Sequence, residues 1–61
     1  MSYTRDDIHI ILTCSMTMWH WYVVRNDADK WDAGSLANGK ADMLCAAADD
    51  ARIAFDKLTM P

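Results

Sequence analysis

The hydrophobic and polar positions of this chain divide it into two regular segments and a connector. Asn, Asp, Gly and Ser residues cluster between Asn26 and Gly39, a composition typical of turns and loops. The segment before this cluster, 4–25, contains neither Gly nor Pro, and the segment after it repeats apolar residues at helical spacing. The pattern predicts two regular elements joined by one connector.

The first segment predicts a helix over about 5–25 with a narrow polar stripe. At about 100° per residue, its polar side chains fall within a sector of about 80°. The remaining apolar side is too wide to be covered by one neighbouring helix. The polar stripe consists of Asp6, His9, Thr13, Thr17 and His20, and the apolar side of Ile8, Ile11, Leu12, Met16, Met18, Trp19, Tyr22 and Val23.

A strand is the alternative for part of this segment. Even positions from Ile8 to Met18 are apolar and odd positions are mostly His, Thr or Ser, an alternation interrupted by Ile11. The β-branched content agrees with a strand. We favour the helix, because an unbroken strand reaching Val24 would exceed ordinary strand lengths and no turn residue is present to fold it into a hairpin.

The second segment predicts a helix over about 39–59. Ser35 or Asn38 is the predicted N-cap, and Pro61 follows the predicted end. Its two sides differ sharply in polarity, which is the signature of an amphipathic helix. The apolar face consists of Ala41, Leu44, Ala47, Ala48, Ala51, Ala54, Phe55 and Leu58, and an acidic strip on the other side consists of Asp42, Asp49 and Asp56.

These elements predict an all-α fold in which residues 1–61 form a single domain, a two-helix antiparallel hairpin with a connector over about 26–38. The apolar side of the first helix exceeds what the second can cover, so we expect a homodimer in the form of a four-helix bundle. The residues predicted for the core and dimer interface are Ile8, Ile11, Leu12, Trp19, Tyr22, Leu44, Ala48, Ala51, Phe55 and Leu58.

Length and charge narrow the function classes. A chain of 61 residues gains about as much free energy from burial as it loses in conformational entropy, which favours association with another subunit. A net charge of −3 has the wrong sign for holding a phosphate backbone, so no direct contact with nucleic acid is expected. The sequence contains no catalytic set and no phosphate-binding loop, which predicts a protein that is not an enzyme.

The Cys and His residues predict neither a cofactor nor a metal site. Cys14 and Cys45 lie far apart without CxxC spacing, which indicates reduced thiols and a cytoplasmic protein. His9 and His20 would be about 16 Å apart on one helix, so only an antiparallel dimer would bring them to a single zinc ion. The acidic residues of 27–32 lack the spacing of a calcium loop.

Aromatic and acidic residues are the candidates for partner contact. One Trp of the Trp19–Tyr22 cluster is expected to pack inside the hairpin, and Trp21 is predicted to face a partner. Trp31 in the connector is predicted to fold over the open end of the hairpin. Ile53 lies among polar residues of the second helix, a suitable centre for an interface. The predicted partner-binding residues are Trp21, Trp31, Ile53, Asp42, Asp49 and Asp56.

The function predicted by these observations is that of a small non-enzymatic protein–protein interaction module, acting as an inhibitor or adaptor. One alternative is a small membrane protein, because segment 8–24 carries no formal charge and is flanked by charged residues. A second alternative is a decoy for a nucleic-acid-binding protein, in which the carboxylates of the acidic strip take the place of phosphates.

Overall fold

A computed structural model describes residues 3–27 and 34–60, which form an α+β fold. The strands β1, β2 and β3 make one antiparallel sheet in the order β1-β2-β3, so β2 is central and the other two are edges. The predicted all-α hairpin is therefore wrong, and so is the four-helix bundle derived from it. The elements are β1 (Ile8–Ser15), β2 (Met18–Arg25), β3 (Ala37–Ala41) and α1 (Leu44–Thr59).

A β-hairpin replaces the helix predicted over about 5–25. Ser15 pairs with Met18, so Met16 and Thr17 alone make the turn between β1 and β2. Met16 takes a φ of 58°, in the left-handed region that Gly enters without steric cost. The alternation starting at Ile8 is thus the dominant local signal, and the turn escapes sequence prediction because it is built without the usual turn residues.

The helix predicted over about 39–59 is confirmed, but it starts later. It begins at Leu44 because residues 39–41 belong to β3. Met43 occupies the N-cap position and makes no side-chain capping bond. The two residues predicted as N-caps do not cap α1. Ser35 precedes β3 and Asn38 lies within it, and the Nδ2 atom of Asn38 donates to the Oγ atom of Ser35 at 3.0 Å.

One face of the sheet packs against α1 and holds a small core. This face carries the odd-numbered residues of β2 and β3 and the even-numbered residues of β1. Of the residues predicted for the core, Ile8 and Ala51 are buried there, whereas Leu12 and Leu44 are exposed and do not belong to it. The buried cluster is Ile8, Trp21, Val23, Ala47 and Ala51, and Trp19, Ala37, Ala41, Ala54, Phe55 and Leu58 are partly buried against it.

The opposite face of the sheet carries two residues that were predicted for the same core. Ile11 pairs directly with Tyr22 across β1 and β2, and both side chains are half-buried. Val24, on the same face, is fully buried. A helical projection places Ile11 and Tyr22 beside Ile8, whereas successive side chains of a strand point to opposite faces. The sheet therefore separates residues that the helical prediction combined.

Trp21 occupies the centre of the core because Gly39 faces it from β3. A Cβ atom at position 39 would lie 2.6 Å from the Trp21 ring atoms Cζ2 and Nε1. The ring thus fills the space that a side chain at position 39 would need. Trp19 lies on the same face, because side chains two positions apart in a strand point the same way. The prediction that Trp21 faces outward is therefore wrong.

The segment before β1 is attached to the end of α1. The backbone N–H of Tyr3 donates to the carbonyl oxygen of Leu58 at 2.8 Å. The Nη2 atom of Arg5 donates to Asp56 Oδ1 at 2.7 Å, and its guanidinium lies 5.2 Å from the centroid of the Phe55 ring. These contacts hold the carboxyl-terminal half of α1 over the beginning of β1.

Candidate protein-binding edge

Within residues 3–27 and 34–60, no strand pairs with the outer edge of β1. The N–H of Asn26 donates to the carbonyl oxygen of Asp7 at 2.9 Å, which makes residues 7 and 26 a hydrogen-bonded pair. Hydrogen-bonded pairs recur at every second residue of an antiparallel ladder, so the odd residues of β1 bond to β2. The N–H and C=O groups that point away from β2 are those of Ile8, Ile10, Leu12 and Cys14.

This edge lacks the features that usually keep an edge strand from pairing with another chain. Natural edges are short, or carry Lys, Pro, a bulge or an inward-pointing charge. The strand Ile8–Ser15 is eight residues long and contains no charged residue and no Pro. Its register with β2 is continuous from the first residue to the last, without a bulge. The edge of β1 is therefore open to the addition of another strand.

The helix covers β1 unevenly. α1 begins just after Ala41, which lies opposite Trp19, and its other end is fastened over the beginning of β1. The exposed fraction accordingly rises along the strand, from 3% at Ile8 to 36% at Leu12. The second half of β1 therefore has both a free backbone edge and accessible apolar side chains.

Two apolar residues at the beginning of α1, Met43 and Leu44, are also exposed. They follow β3, which is the edge of the sheet opposite β1, so they are not part of the same surface. We call the outer edge of β1 together with the side chain of Leu12 the β1 edge surface. It combines outward backbone groups with an accessible apolar side chain.

The residues predicted for partner contact do not come together on this surface. Trp21 is only 9% exposed and lies in the core. Ile53 is 49% exposed, but it projects from the side of α1 that faces away from the sheet. Trp31 lies outside the described residues. Ile53 and Trp21 therefore do not form one binding site.

The acidic strip is only partly continuous. Asp42 precedes α1 and does not share its helical phase. Asp56 is paired with Arg5 at 2.7 Å, and Asp49 lies 3.7 Å from the Nη2 atom of Arg52. These neighbouring cations offset the carboxylate charges that a nucleic-acid decoy would need.

The titratable side chains form no cluster of metal ligands within residues 3–27 and 34–60. The Nδ1 atom of His9 lies 2.6 Å from Asn26 Oδ1, and Asn26 in turn donates to the carbonyl oxygen of Asp6. This chain of contacts fixes the end of the sheet where β1 begins. Cys14 and Cys45 are exposed free thiols.

No helix in the described part of the chain has the length and apolarity needed to cross a membrane. Segment 8–24, which was considered as a span, forms the β1–β2 hairpin instead. The free edge of that hairpin is the feature that sequence reasoning missed. The alternation from Ile8 to Met18 indicated a strand, but the position of that strand at an edge follows only from the strand order.

Comparison with known proteins adds no relative: no family model matches the chain, and neither a curated protein nor a solved structure matches it. The functional argument therefore depends on the geometry of the β1 edge surface.

Proposed function

We propose that this chain is a non-enzymatic protein-interaction module that binds an extended segment of a partner along the outer edge of β1. The observation that carries the proposal is the row of outward backbone groups on an eight-residue strand without charge or proline. Addition of a strand to such an edge is a recurring mode of peptide recognition. Backbone hydrogen bonds would provide affinity, and the alternate side chains would provide specificity.

The two faces of β1 would contact different side chains of the added strand. On the face of α1, Leu12 offers an apolar contact. On the opposite face, Ile11 lies between His9 and Thr13, so an apolar residue there would be flanked by polar ones. The proposed ligand is therefore an extended segment with apolar residues on the side of α1 and mixed residues on the other side.

As an inhibitor or adaptor, the chain would act by pairing the outer edge of β1 with an extended segment of its target. The exposed free thiols Cys14 and Cys45 are compatible with a reducing, cytoplasmic compartment, which we include in the proposal. Cys14 lies on β1 itself, so its backbone groups belong to the binding edge.

Selection from a library of displayed peptides tests this function directly. The purified chain is the bait, and the enriched peptides are then synthesised with a fluorescent label and measured by anisotropy. We expect extended sequences with alternating apolar residues. The variant Leu12→Lys adds a charge to the binding edge and should weaken their binding by about tenfold or more.

The matched control is Asn38→Lys, which adds the same charge to the other edge of the sheet, on β3. Asn38 is exposed, so the control should fold normally and bind the selected peptides as the unmodified chain does. The proposal fails if no peptide is enriched, or if Leu12→Lys and Asn38→Lys bind the enriched peptides equally well.

A further inference from the structure

We infer that the segment that binds to β1 is β1 of a second copy of this chain, so that two copies form one continuous six-stranded antiparallel sheet. This inference rests on the proposed function, because it names the partner of the same edge. A contact between two identical strands related by a two-fold axis is self-complementary and closes the assembly at two copies. The outer β1 edges of the two copies are then paired with each other.

The small core of a single copy supports the inference. Among the described residues six apolar side chains are buried, and two of them are alanines. Chains of this size seldom stabilise themselves by one core alone and commonly gain stability from another subunit. An edge contact adds apolar burial at Leu12, where α1 leaves the sheet uncovered.

The charges at the beginning of β1 favour an antiparallel contact. Asp6 and Asp7 stand directly before the strand, and no acidic residue stands at its other end. A parallel contact would bring the acidic pairs of both copies together. In the antiparallel contact they lie about 27 Å apart, well beyond the screening length at physiological salt.

The alternation of backbone groups fixes the register. Outward groups belong to even residues, so even residues of one copy must pair with even residues of the other. Two such registers pair seven residues of each β1 strand, and the one that includes Ile8 pairs Ile10 with the second copy's Leu12. It places Ile11 directly opposite the second copy's Ile11, at the two-fold axis, where apolar cross-strand pairs stabilise a sheet.

Disulfide trapping tests this register. Ile11→Cys is introduced in a chain that also carries Cys14→Ser and Cys45→Ser, since both native thiols are exposed. A non-hydrogen-bonded pair on the axis has Cα atoms about 4.5 Å apart, which suits a disulfide. We expect a covalent dimer after mild oxidation. Thr13→Cys in the same background is the control, because position 13 would face the second copy's His9.

Solution mass over a concentration series tests the assembly itself. The unmodified chain and Asn38→Lys should convert from one copy to two as concentration rises, whereas Leu12→Lys should need at least about tenfold more protein for the same conversion. Helicity is recorded on the same samples to show that each variant is folded. A dimer that forms equally well with Leu12→Lys overturns the inference, and so does trapping through Thr13→Cys but not through Ile11→Cys.

The result also separates this inference from the proposed function. If the chain stays a monomer while selected peptides bind it and Leu12→Lys weakens them, the edge binds other proteins and the self-association is wrong. If the chain is a monomer and no extended peptide binds, both statements are wrong.

Discussion

The two edges of the sheet differ in length, in charge and in how α1 covers them. β3 is five residues long, contains Gly39 and presents Lys40, whereas β1 is eight residues long and uncharged. β3 also joins α1 directly, while α1 leaves the second half of β1 uncovered. β3 thus has features that usually keep an edge strand from pairing with another chain, and β1 lacks them. This difference is the basis for the proposal that β1 is the interaction edge.

The largest expected effect sharpens the contrast between the two halves of β1. Ile8→Ala removes a side chain that is 3% exposed beneath α1, so the free energy of unfolding should fall by about 3 kcal/mol. Leu12→Ala removes a side chain at the uncovered end and should cost about 1 kcal/mol. Urea denaturation at low protein concentration measures both. Equal losses would contradict the uneven coverage of the strand.

The next effect concerns the fit between β3 and the centre of the core. Gly39→Ala places a Cβ atom within 2.6 Å of the Trp21 ring, which must then move, and we expect a loss of about 2 kcal/mol. The neighbouring Asn38→Ala is the control and should change stability by less than about 0.5 kcal/mol. Denaturation followed by tryptophan fluorescence measures both stability losses. Equal losses would contradict the close contact between position 39 and the Trp21 ring.

A smaller effect of opposite sign is expected at the turn that ends β1. Met16 has a φ of 58°, a conformation that costs residues other than Gly roughly 1 kcal/mol. Met16→Gly should therefore raise the midpoint of thermal unfolding, whereas Thr17→Gly, at the turn position without a positive φ, should lower it. A drop for Met16→Gly would show that the turn takes another conformation.

The smallest effect concerns the attachment of α1 over the beginning of β1. The Arg5–Asp56 ion pair is exposed, so Arg5→Ala should lower stability by less than about 1 kcal/mol. Part of that loss comes from the contact of the guanidinium with Phe55 and should survive at high salt. Chemical denaturation in low and high salt measures the two parts. A loss that vanishes completely in high salt would contradict the contribution of the ring.

Sequence reasoning located the helix but misjudged the rest of the fold for identifiable physical reasons. The period of the apolar face from Ala47 to Leu58 is a helical signal that the contacts of α1 with the core confirm. The segment Ile8–Arg25 carries both helical and alternating patterns, and the choice depended on finding a turn. Met16 and Thr17 make that turn without any turn residue, so local composition could not reveal it.

The candidate surface was harder to predict than the fold. Aromatic residues such as Trp21 are typical interface anchors, but here the ring lies in the core because position 39 is Gly. The β1 edge surface consists mainly of backbone groups, and a pattern of side chains does not show which strand lies at an edge. Its location follows only when the strand order makes β1 an edge.

Hydrogen exchange of individual backbone amides, followed by NMR at low and high protein concentration, tests the central claim most directly. The outward amides of Ile10 and Leu12 should become protected as the concentration rises. Those of Asn38 and Lys40, on the outer side of β3, should exchange equally fast throughout. If β1 gains no protection, or β3 gains as much, the account of an open edge on β1 is contradicted.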